Sequence, residues 1–282
     1  MFDFTDEEMK EINQEMMAMK LGFIGCGNMA SAIMGGVIRN GIFRPEEMIG
    51  ADSYKTALDK VSETLGIQVT TDNRRVAEEC EVLVLSVKPQ FYEEVIAQIR
   101  SAVDENKIII TIAPGKTLEW LGQKFEKPVK IVRTMPNTPA LVGEGITAAC
   151  ANVQVSEEEL AYVCSILRGF GEVEVIPEHL MDVVVSVSGS SPAYVFMMIE
   201  AMADAAVADG MARAQAYRFA SQAVLGSAKM VLETGKHPGE LKDMVCSPGG
   251  TTIEAVRVLE EKGFRSSLFE AMKACAKKAR EM

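Results

Sequence analysis

The stretch that decides the fold is KLGFIGCGNMASAIMGGVIRNG, residues 20–41. It has the pattern of a short apolar strand, a glycine-rich turn and an amphipathic helix, and Gly25 to Ala30 fit G-x-G-x-x-A. The first glycine of this pattern permits a tight turn, the second lets the backbone approach a pyrophosphate, and the small third residue lets the helix pack closely on the strand. Because backbone N–H groups at the helix start would then face the phosphates, the stretch predicts a dinucleotide site.

Further apolar runs alternate with helical patterns after this stretch, at residues 48–51, 67–70, 82–87, 107–112 and 129–133. Their continuous Val, Ile and Leu content is typical of parallel strands covered on both faces. We therefore expect an α/β fold in which residues 20–177 form a doubly wound, Rossmann-like sheet. Ligands of such sheets bind beyond the carboxyl ends of the strands, where this chain has Ala51-Asp52-Ser53, Val87-Lys88-Pro89 and Ala113-Pro114-Gly115.

The choice between NADH and NADPH stays open at this point. Asp52 follows the second strand, where a carboxylate often accepts a hydrogen bond from the ribose 2′-OH and repels a 2′-phosphate. Ser53, Lys55, Arg74 and Arg75 could instead hold that phosphate. A third possibility is that Asp52 only caps the following helix.

A proline-rich loop, Thr134 to Pro139, follows the sixth strand. Pro136 and Pro139 restrict its conformation, so Asn137 could present a preset hydrogen-bond donor and acceptor near the nicotinamide. The alternative is a structural turn that the Asn137 side chain stabilises, and the pattern alone favours neither.

Beyond Pro177 the strand signal stops, and Ala- and Met-rich helical stretches follow at residues 194–209, 214–234, 251–262 and 266–281. We predict an all-helical domain over residues 178–282 that buries one face against another subunit, which implies a homodimer. The methionines are expected to fill gaps in that interface rather than to form a cofactor site.

Two segments of the helical half place glycine and hydroxyl groups just before a predicted helix: residues 188–194, SGSSPAY, and residues 246–252, CSPGGTT. Each could bind an anion through backbone N–H and side-chain O–H groups at a positive helix end, and each could equally be only a helix cap. His179 and His237 have no partner pattern of the Ser-His-Asp or metal-binding kind, so no catalytic histidine is assigned.

The first 19 residues differ from the rest and are predicted to be an acidic extension. Thr5 and Glu8 form a capping-box pattern before Met9, Ile12, Met16 and Met17, so a short helix could form there.

Composition narrows the functional classes. The 282 residues suffice for two domains, and a net charge of −11 argues against binding to nucleic acid or anionic lipid. Six cysteines without a CxxC pair and only two histidines argue against a zinc site, so no metal is expected. The chain opens without a basic-then-apolar leader and has no uncharged apolar run of 18 residues. We therefore expect a cytoplasmic protein that does not enter a membrane.

Together these segments resemble the pyrroline-5-carboxylate reductase family of bacterial type. The resemblance runs from about residue 20 to residue 279 and is closest in SGSSPAYVFMMIEAMADAAV and HPGELKDMVCSPGGTTIEAVRVLEEKGFR. It implies NAD(P)H-dependent reduction of a cyclic C=N bond to give proline, with NADPH, or NADH, as cofactor. It also implies a dinucleotide-binding domain, a helical dimerisation domain and a homodimer that can assemble into a decamer.

The resemblance also assigns site residues. The cofactor would contact Ile24, Gly25, Cys26, Gly27, Asn28, Met29, Asp52, Ser53, Asn73, Ser86, Val87, Lys88, Pro89, Ala113, Pro114 and Gly115. The substrate would contact Asn137, Glu178, Ser247, Gly249, Gly250, Thr251 and Thr252. Thr252 would donate a hydrogen bond to the imine nitrogen, with Ser190 as a neighbour. Pro114 replaces the alanine usual in the family, and Asp52 stands where small hydroxyl residues are common, which puts selectivity for the 2′-phosphate in doubt.

Two rival functions remain. A β-hydroxyacid dehydrogenase or another imine reductase could share this architecture, but the former needs a lysine base, and no lysine lies between Lys130 and Lys229. A non-catalytic NADP(H) sensor could keep the fold without turnover.

Overall fold

The computed structural model describes residues 4–16 and 19–281. The chain divides by packing into two compact units, Met1–Gly189 with Ala276–Met282, and Ser190–Cys275. This boundary falls after the sequence boundary at residues 177 and 178, because Met181 is buried against Ala148 and Cys150 of the first unit.

The first unit contains an eight-stranded sheet in the order β3-β2-β1-β4-β5-β6-β7-β8. Strands β1 to β6 run parallel, and their order is that of a dinucleotide-binding fold. The strands are β1 Leu21–Ile24, β2 Met48–Ala51, β3 Gln68–Thr70, β4 Val82–Leu85, β5 Ile108–Thr111, β6 Lys130–Met135, β7 Gly145–Ala151 and β8 Gly171–Val175. The predicted α/β class is confirmed, and each of the first six strands lies at or within a run expected from the sequence, give or take two residues.

The last two strands were not predicted. β7 pairs antiparallel with β6, and β8 pairs parallel with β7. β7 has the sequence GITAACA, whose small residues give a weak strand signal, and β8 is a half-exposed edge strand, GEVEV. Both strands extend the sheet beyond the dinucleotide-binding half.

Helices cover both faces of the sheet: α1 Asp6–Met16, α2 Asn28–Arg39, α3 Lys55–Leu65, α4 Asn73–Glu79, α5 Tyr92–Ile99, α6 Leu118–Phe125, α7 Glu157–Leu167 and α8 Met181–Val184. Two separate apolar clusters result. One contains Phe23, Met34 and Phe170, and the other contains Ile24, Tyr92 and Phe125. Alternate residues of β1 therefore face opposite cores, as a strand buried on both sides requires.

Helix α1 begins with the predicted capping box. The Thr5 hydroxyl accepts a hydrogen bond from the Glu8 N–H, and a Glu8 carboxylate oxygen accepts one from the Thr5 N–H at 2.7 Å. Ile12 and Met16 pack against the core of the first unit. The predicted contribution of Met17 lies outside the described residues.

The second unit is helical, with α9 Ser191–Ala208, α10 Arg213–Thr234, α11 Pro238–Val245, α12 Thr251–Glu261 and most of α13 Phe264–Arg280. Between residues 190 and 275, the buried hydrophobic side chains are Ala203, Ala216 and Ala220. Large apolar side chains such as Phe196 (61% exposed), Phe219 (66%) and Leu232 (84%) face outward. A unit of this kind lacks a core of its own and needs a covering surface.

One helical run in the described chain, residues 178–208, is long and apolar enough to span a membrane by length and composition alone. It contains much of the same exposed apolar surface, including Phe196 and Met197.

Candidate active site

The strand ends that were predicted to hold the cofactor lie side by side. Ile24 pairs in register with Ala51 on one side and with Leu85 on the other, and Leu85 pairs with Thr111. The segments that leave β1, β2, β4 and β5 therefore emerge at one edge of the sheet. This edge contains the position where the strand order reverses around β1, which is the ligand-binding position of doubly wound sheets.

The glycine-rich turn has the backbone geometry that its pattern predicts. Gly25 has φ of +100°, and a Cβ built there would lie 2.7 Å from the Ser86 carbonyl group. A Cβ built on Gly27 would meet no described atom within 4 Å. Gly25 is therefore required by packing, whereas the space at Gly27 is open to a ligand.

Helix α2 begins directly after Gly27, and its N-terminus suits an anion. Gly27 is the N-cap, no side chain caps the helix, and its first turn carries no acidic residue. The first backbone N–H groups and the positive end of the helix dipole can therefore serve a phosphate. Asn28 is exposed at this end, and Met29 is half-buried.

The Asp52 carboxylate joins the turn to the loop after β2. Oδ2 accepts a hydrogen bond from the Cys26 N–H at 2.7 Å, and Oδ1 accepts one from the Tyr54 N–H at 2.9 Å. The N-cap of α3 is Tyr54, so the alternative that Asp52 is this N-cap is wrong. Ser53 is exposed beside it.

The segment after β4 is also bound to the glycine-rich turn. The Ser86 hydroxyl donates to the Gly25 carbonyl at 2.6 Å, so it stabilises the turn itself. Val87 is half-buried and Lys88 is exposed, and Pro89 opens a short 3-10 helix, Pro89–Phe91. Beyond β5, Ala113 is buried, Pro114 is half-buried and Gly115 turns the chain with φ of +75°.

The N-terminus of α4 is occupied by local contacts. Asp72 caps the helix through the Arg74 and Arg75 N–H groups, and Asn73 Nδ2 donates to Gln98 Oε1 at 2.7 Å. The Arg74 and Arg75 side chains pair with Glu78 at 2.8 Å and Glu79 at 2.7 Å. Both guanidinium groups thus have a carboxylate partner on their own helix.

These features together fit a dinucleotide. The open space at Gly27, the uncapped start of α2 and the aligned strand ends supply room, N–H donors and a positive helix end. The predicted cofactor residues of the first unit, from Ile24 to Gly115, lie on segments at this one edge of the sheet. Among them, Asn73 lies at the start of α4, and its side-chain amide donates to Gln98.

Asn137 is buried and uses both ends of its amide. Nδ2 donates to the Ser188 carbonyl at 3.1 Å, and Oδ1 accepts from the Ile146 N–H at 2.9 Å. These contacts favour the structural alternative for Asn137 over a direct contact with nicotinamide. They also fix the backbone just before Gly189 and Ser190.

Glu178 is likewise engaged inside the first unit. Its Oε1 accepts from the Leu118 N–H at 2.7 Å and from Arg133 Nη1 at 3.0 Å. The Arg133 side chain is 6% exposed, and Asp182 lies 3.8 Å from its second nitrogen. Sequence reasoning missed Arg133, although a single arginine inside the apolar strand KIVRTM was a usable signal.

In the second unit, the segment before α12 forms a tight turn. The Gly250 N–H donates to the Ser247 carbonyl at 3.0 Å, and Gly249 has φ of +67°. A Cβ on Gly250 would lie 2.3 Å from the Ser247 hydroxyl oxygen and 3.1 Å from its carbonyl oxygen, so a larger residue would displace the Ser247 side chain. Gly250 is the N-cap of α12 and no side chain caps the helix.

The start of α12 can therefore bind an anion. Its first N–H groups have no side-chain partner, Ser247 and Thr251 are exposed, and Thr252 is half-exposed. The turn thus presents N–H and O–H donors at a positive helix end, which suits a small carboxylate.

Ser190 lies at the N-terminus of α9 and pairs with a residue far along the chain. Its hydroxyl oxygen accepts a hydrogen bond from the Cys275 thiol, with a sulfur–oxygen distance of 3.2 Å. His237, by contrast, caps α11 by accepting from the Gly239 N–H at 3.0 Å, and this contact gives it a structural role.

Two buried cysteines of the first unit hold their protons. Burial raises the pKa of Cys26 and Cys80 to about 12, so both thiols stay protonated at neutral pH. Residues 4–16 and 19–281 hold no group of three or more His, Cys, Asp or Glu that could bind a metal ion.

Fold and site together define a class: a nicotinamide-dinucleotide oxidoreductase whose second, helical unit completes itself in an oligomer. Residues 20–115 match the family described as NADP oxidoreductase, coenzyme F420-dependent, and residues 178–282 match pyrroline-5-carboxylate reductase dimerisation. The chain is 52% identical over 269 residues to pyrroline-5-carboxylate reductase of Escherichia coli, covering 94% of this chain and 99% of the relative. The chain belongs to the pyrroline-5-carboxylate reductase family.

Other relatives agree. Pyrroline-5-carboxylate reductase of Methanosarcina acetivorans is 42% identical, covering 95% of this chain and 99% of the relative. The crystal structure of the Plasmodium falciparum reductase with NADP bound superposes with a TM-score of 0.86 at 32% identity, covering 93% of this chain and 97% of that one. The family match confirms an NAD(P)H-dependent oxidoreductase, and the dimerisation match accounts for the apolar surface of the second unit.

Proposed function

We propose that this chain reduces the C=N bond of 1-pyrroline-5-carboxylate with NAD(P)H and forms proline, the last step of proline biosynthesis. The observation that carries the proposal is the uncapped N-terminus of α12, which offers N–H and hydroxyl donors to a small carboxylate. The relatives named above are called pyrroline-5-carboxylate reductases, and each aligns with nearly the whole of this chain.

The substrate carboxylate would be bound by Ser247, Gly249, Gly250 and Thr251. The backbone groups suit this task because the turn at Gly249 leaves the first N–H groups of α12 without a side-chain cap. They compensate the carboxylate charge together with the helix dipole.

The Thr252 hydroxyl would donate a hydrogen bond to the imine nitrogen, directly or through water, so that the nitrogen can accept electrons. When bound at the edge of the sheet, the reduced nicotinamide supplies the hydride. A neutral donor is sufficient because the chain needs only to orient the imine and to stabilise charge that develops on nitrogen. Ser190 is assigned as a neighbour of this donor.

Asn137 and Glu178 receive a positioning role in this proposal. Asn137 fixes the Ser188 carbonyl, and Glu178 joins Arg133 to the start of α6. These contacts hold both side chains in place within the first unit, and the resemblance assigns the same two residues to the lining of the substrate pocket.

The test is an assay of NADH or NADPH oxidation with pyrroline-5-carboxylate, with proline identified as the product. Thr252→Val removes the hydroxyl and should lower kcat by roughly tenfold to a thousandfold, whereas Thr252→Ser keeps the donor and should retain most activity. Tight binding of the cofactor without proline formation would instead support the sensor function.

The cellular setting is part of the same proposal. Biosynthetic chemistry and a net charge of −11 suit a cytoplasmic enzyme without nucleic-acid or membrane partners, whose apolar run at residues 178–208 is covered by its own dimer. The homodimer can further assemble into a decamer.

A further inference from the structure

We infer that Asp52 makes this enzyme prefer NADH over NADPH by occupying the position that a 2′-phosphate would need. The inference concerns the same cofactor site as the proposed function. It can be tested without turnover, so the two can fail separately.

Asp52 is held in place by two backbone groups from different loops. Its carboxylate accepts from the Cys26 N–H at 2.7 Å and from the Tyr54 N–H at 2.9 Å. Cys26 is the second residue of the glycine-rich turn, so the carboxylate stands directly beside the pyrophosphate site. In doubly wound folds an acidic residue after the second strand accepts from the ribose 2′-OH.

Two of the cations that could accept a 2′-phosphate already have carboxylate partners on their own helix. Arg74 forms an ion pair with Glu78, and Arg75 forms one with Glu79, all on α4. Ser53 and Lys55 are exposed and follow Asp52 closely in the chain, so a phosphate bound by them would lie near its carboxylate. Moving the carboxylate away would break two charge-assisted hydrogen bonds, which are the stronger kind.

A 2′-phosphate therefore meets a fixed negative charge, whereas a 2′-OH meets a hydrogen-bond acceptor. Like charges in contact near a protein surface oppose binding, and a hydroxyl that donates to a carboxylate favours it. Both effects act in the same direction, and we expect at least a roughly tenfold preference for the cofactor without the phosphate.

The decisive experiment measures binding to the full chain by calorimetry, with ADP-ribose and 2′-phospho-ADP-ribose as probes. These probes lack nicotinamide, so the result does not depend on the reaction or on the substrate. The wild-type chain should bind ADP-ribose at least roughly tenfold more tightly. Equal affinities, or tighter binding of the phosphorylated probe, would overturn the inference.

Two variants separate charge from geometry. Asp52→Asn keeps the length of the side chain and an oxygen acceptor but removes the charge, whereas Asp52→Ser removes the charge and shortens the side chain to a single hydroxyl. Each should shift the affinity ratio toward the phosphorylated probe, by roughly tenfold or more for Asp52→Ser. Asp59→Ser removes an exposed carboxylate from α3 and serves as the control, with an unchanged ratio. If a variant folds with a normal melting temperature and its ratio stays at the wild-type value, Asp52 does not set the preference.

The same variants give a second readout in the proline-forming assay. The kcat/KM ratio for NADH over NADPH should fall in Asp52→Ser in parallel with the binding ratio. An altered binding ratio without any turnover in the wild type would contradict the proposed function and leave the specificity inference supported.

Discussion

At the scale of single residues, the two glycines of the turn have different physical roles. Gly25 is enclosed by the protein: its φ is +100°, and an added Cβ would lie 2.7 Å from the Ser86 carbonyl group. Gly27 has an ordinary φ of −72° and open space where a Cβ would stand. The first is needed for folding, and the second is needed for access by a ligand.

Gly25→Ala should therefore lower the free energy of unfolding by about 2–5 kcal/mol, from backbone strain and overlap together. Gly27→Ala should leave the melting temperature nearly unchanged but weaken cofactor binding roughly tenfold or more, because its methyl group enters the phosphate space. Denaturant unfolding and cofactor titration measure the two effects.

The control for this pair is Gly122→Ala, at a helical position in α6 where a Cβ meets no described atom within 4 Å. It should neither destabilise the chain nor change cofactor affinity. Equal effects of Gly25→Ala and Gly27→Ala on stability would refute the division of roles.

The sequence predicts the residues of the site better than their contacts. The turn at residues 25–30 and the segment at 246–252 carry local patterns, because helix ends and tight turns depend on nearby residues. The Asp52 contact with Cys26 and the Cys275 contact with Ser190 join positions 26 and 85 residues apart, and no local pattern predicts them. The partners of Arg133 likewise lie far along the chain, Glu178 just before α8 and Asp182 within it.

At the scale of elements, helix α1 lies before the residues that the family models match. The family matches begin at residue 20, whereas α1 covers Asp6–Met16 and contacts α7. The Tyr162 hydroxyl donates to the Met16 carbonyl at 3.3 Å, and Ile12 and Met16 pack on the core. Most of the stability of such a short helix must come from this packing.

Ile12→Ala should accordingly lower the free energy of unfolding by about 1–2 kcal/mol, since it removes half-buried apolar surface. Glu11→Ala, at an exposed position of the same helix, should have no measurable effect. Thermal unfolding with an activity assay is the measurement. An unchanged melting temperature in Ile12→Ala would show that α1 does not contribute to the fold.

Elements were predicted from the sequence where apolar runs are continuous. β1, β4 and β5 are buried along their whole length, so their Val and Ile content is a strong signal. β7 was missed because it consists mainly of Gly, Ala and Thr, which give a weak strand signal. Small residues are needed there because the strand has little room for side chains: a Cβ added to Gly145 would lie 2.9 Å from the Phe170 carbonyl oxygen. β8 was missed because it is the edge strand of the sheet, and its pairing with β7 rather than its own sequence orders it.

At the scale of the whole molecule, buried thiols couple stability to pH. Burial raises the pKa of Cys80 and Cys150 from 9.0 to about 12, and that of Cys164 to about 11. The folded chain keeps these protons, whereas the unfolded chain releases them above about pH 9. Stability from this source is complete below pH 9 and falls as the pH rises toward 12.

The free energy of unfolding in urea should therefore fall progressively from about pH 8 through about pH 9.5 to about pH 10.5. In Cys80→Ala the decline above pH 9 should be shallower by up to about 1.4 kcal/mol per pH unit, because one titrating proton is removed. Parallel curves for the two proteins would show that Cys80 ionises normally in the folded state.

The helical unit explains why the chain acts as an assembly. Its buried hydrophobic side chains between residues 190 and 275 are three alanines, while Phe196, Phe219 and Leu232 face outward. An isolated unit of this kind would expose a large apolar surface, which the dimerisation match over residues 178–282 accounts for. The turn before α12 therefore belongs to a unit that matches a dimerisation domain and exposes large apolar side chains.

The most direct test of the account is a crystal structure of the full chain with proline and NAD⁺. Under the proposed function, the proline carboxylate lies on the N–H groups that open α12, and the Thr252 hydroxyl lies within hydrogen-bonding distance of the ring nitrogen. Proline bound away from Ser247 and Thr252 would contradict it.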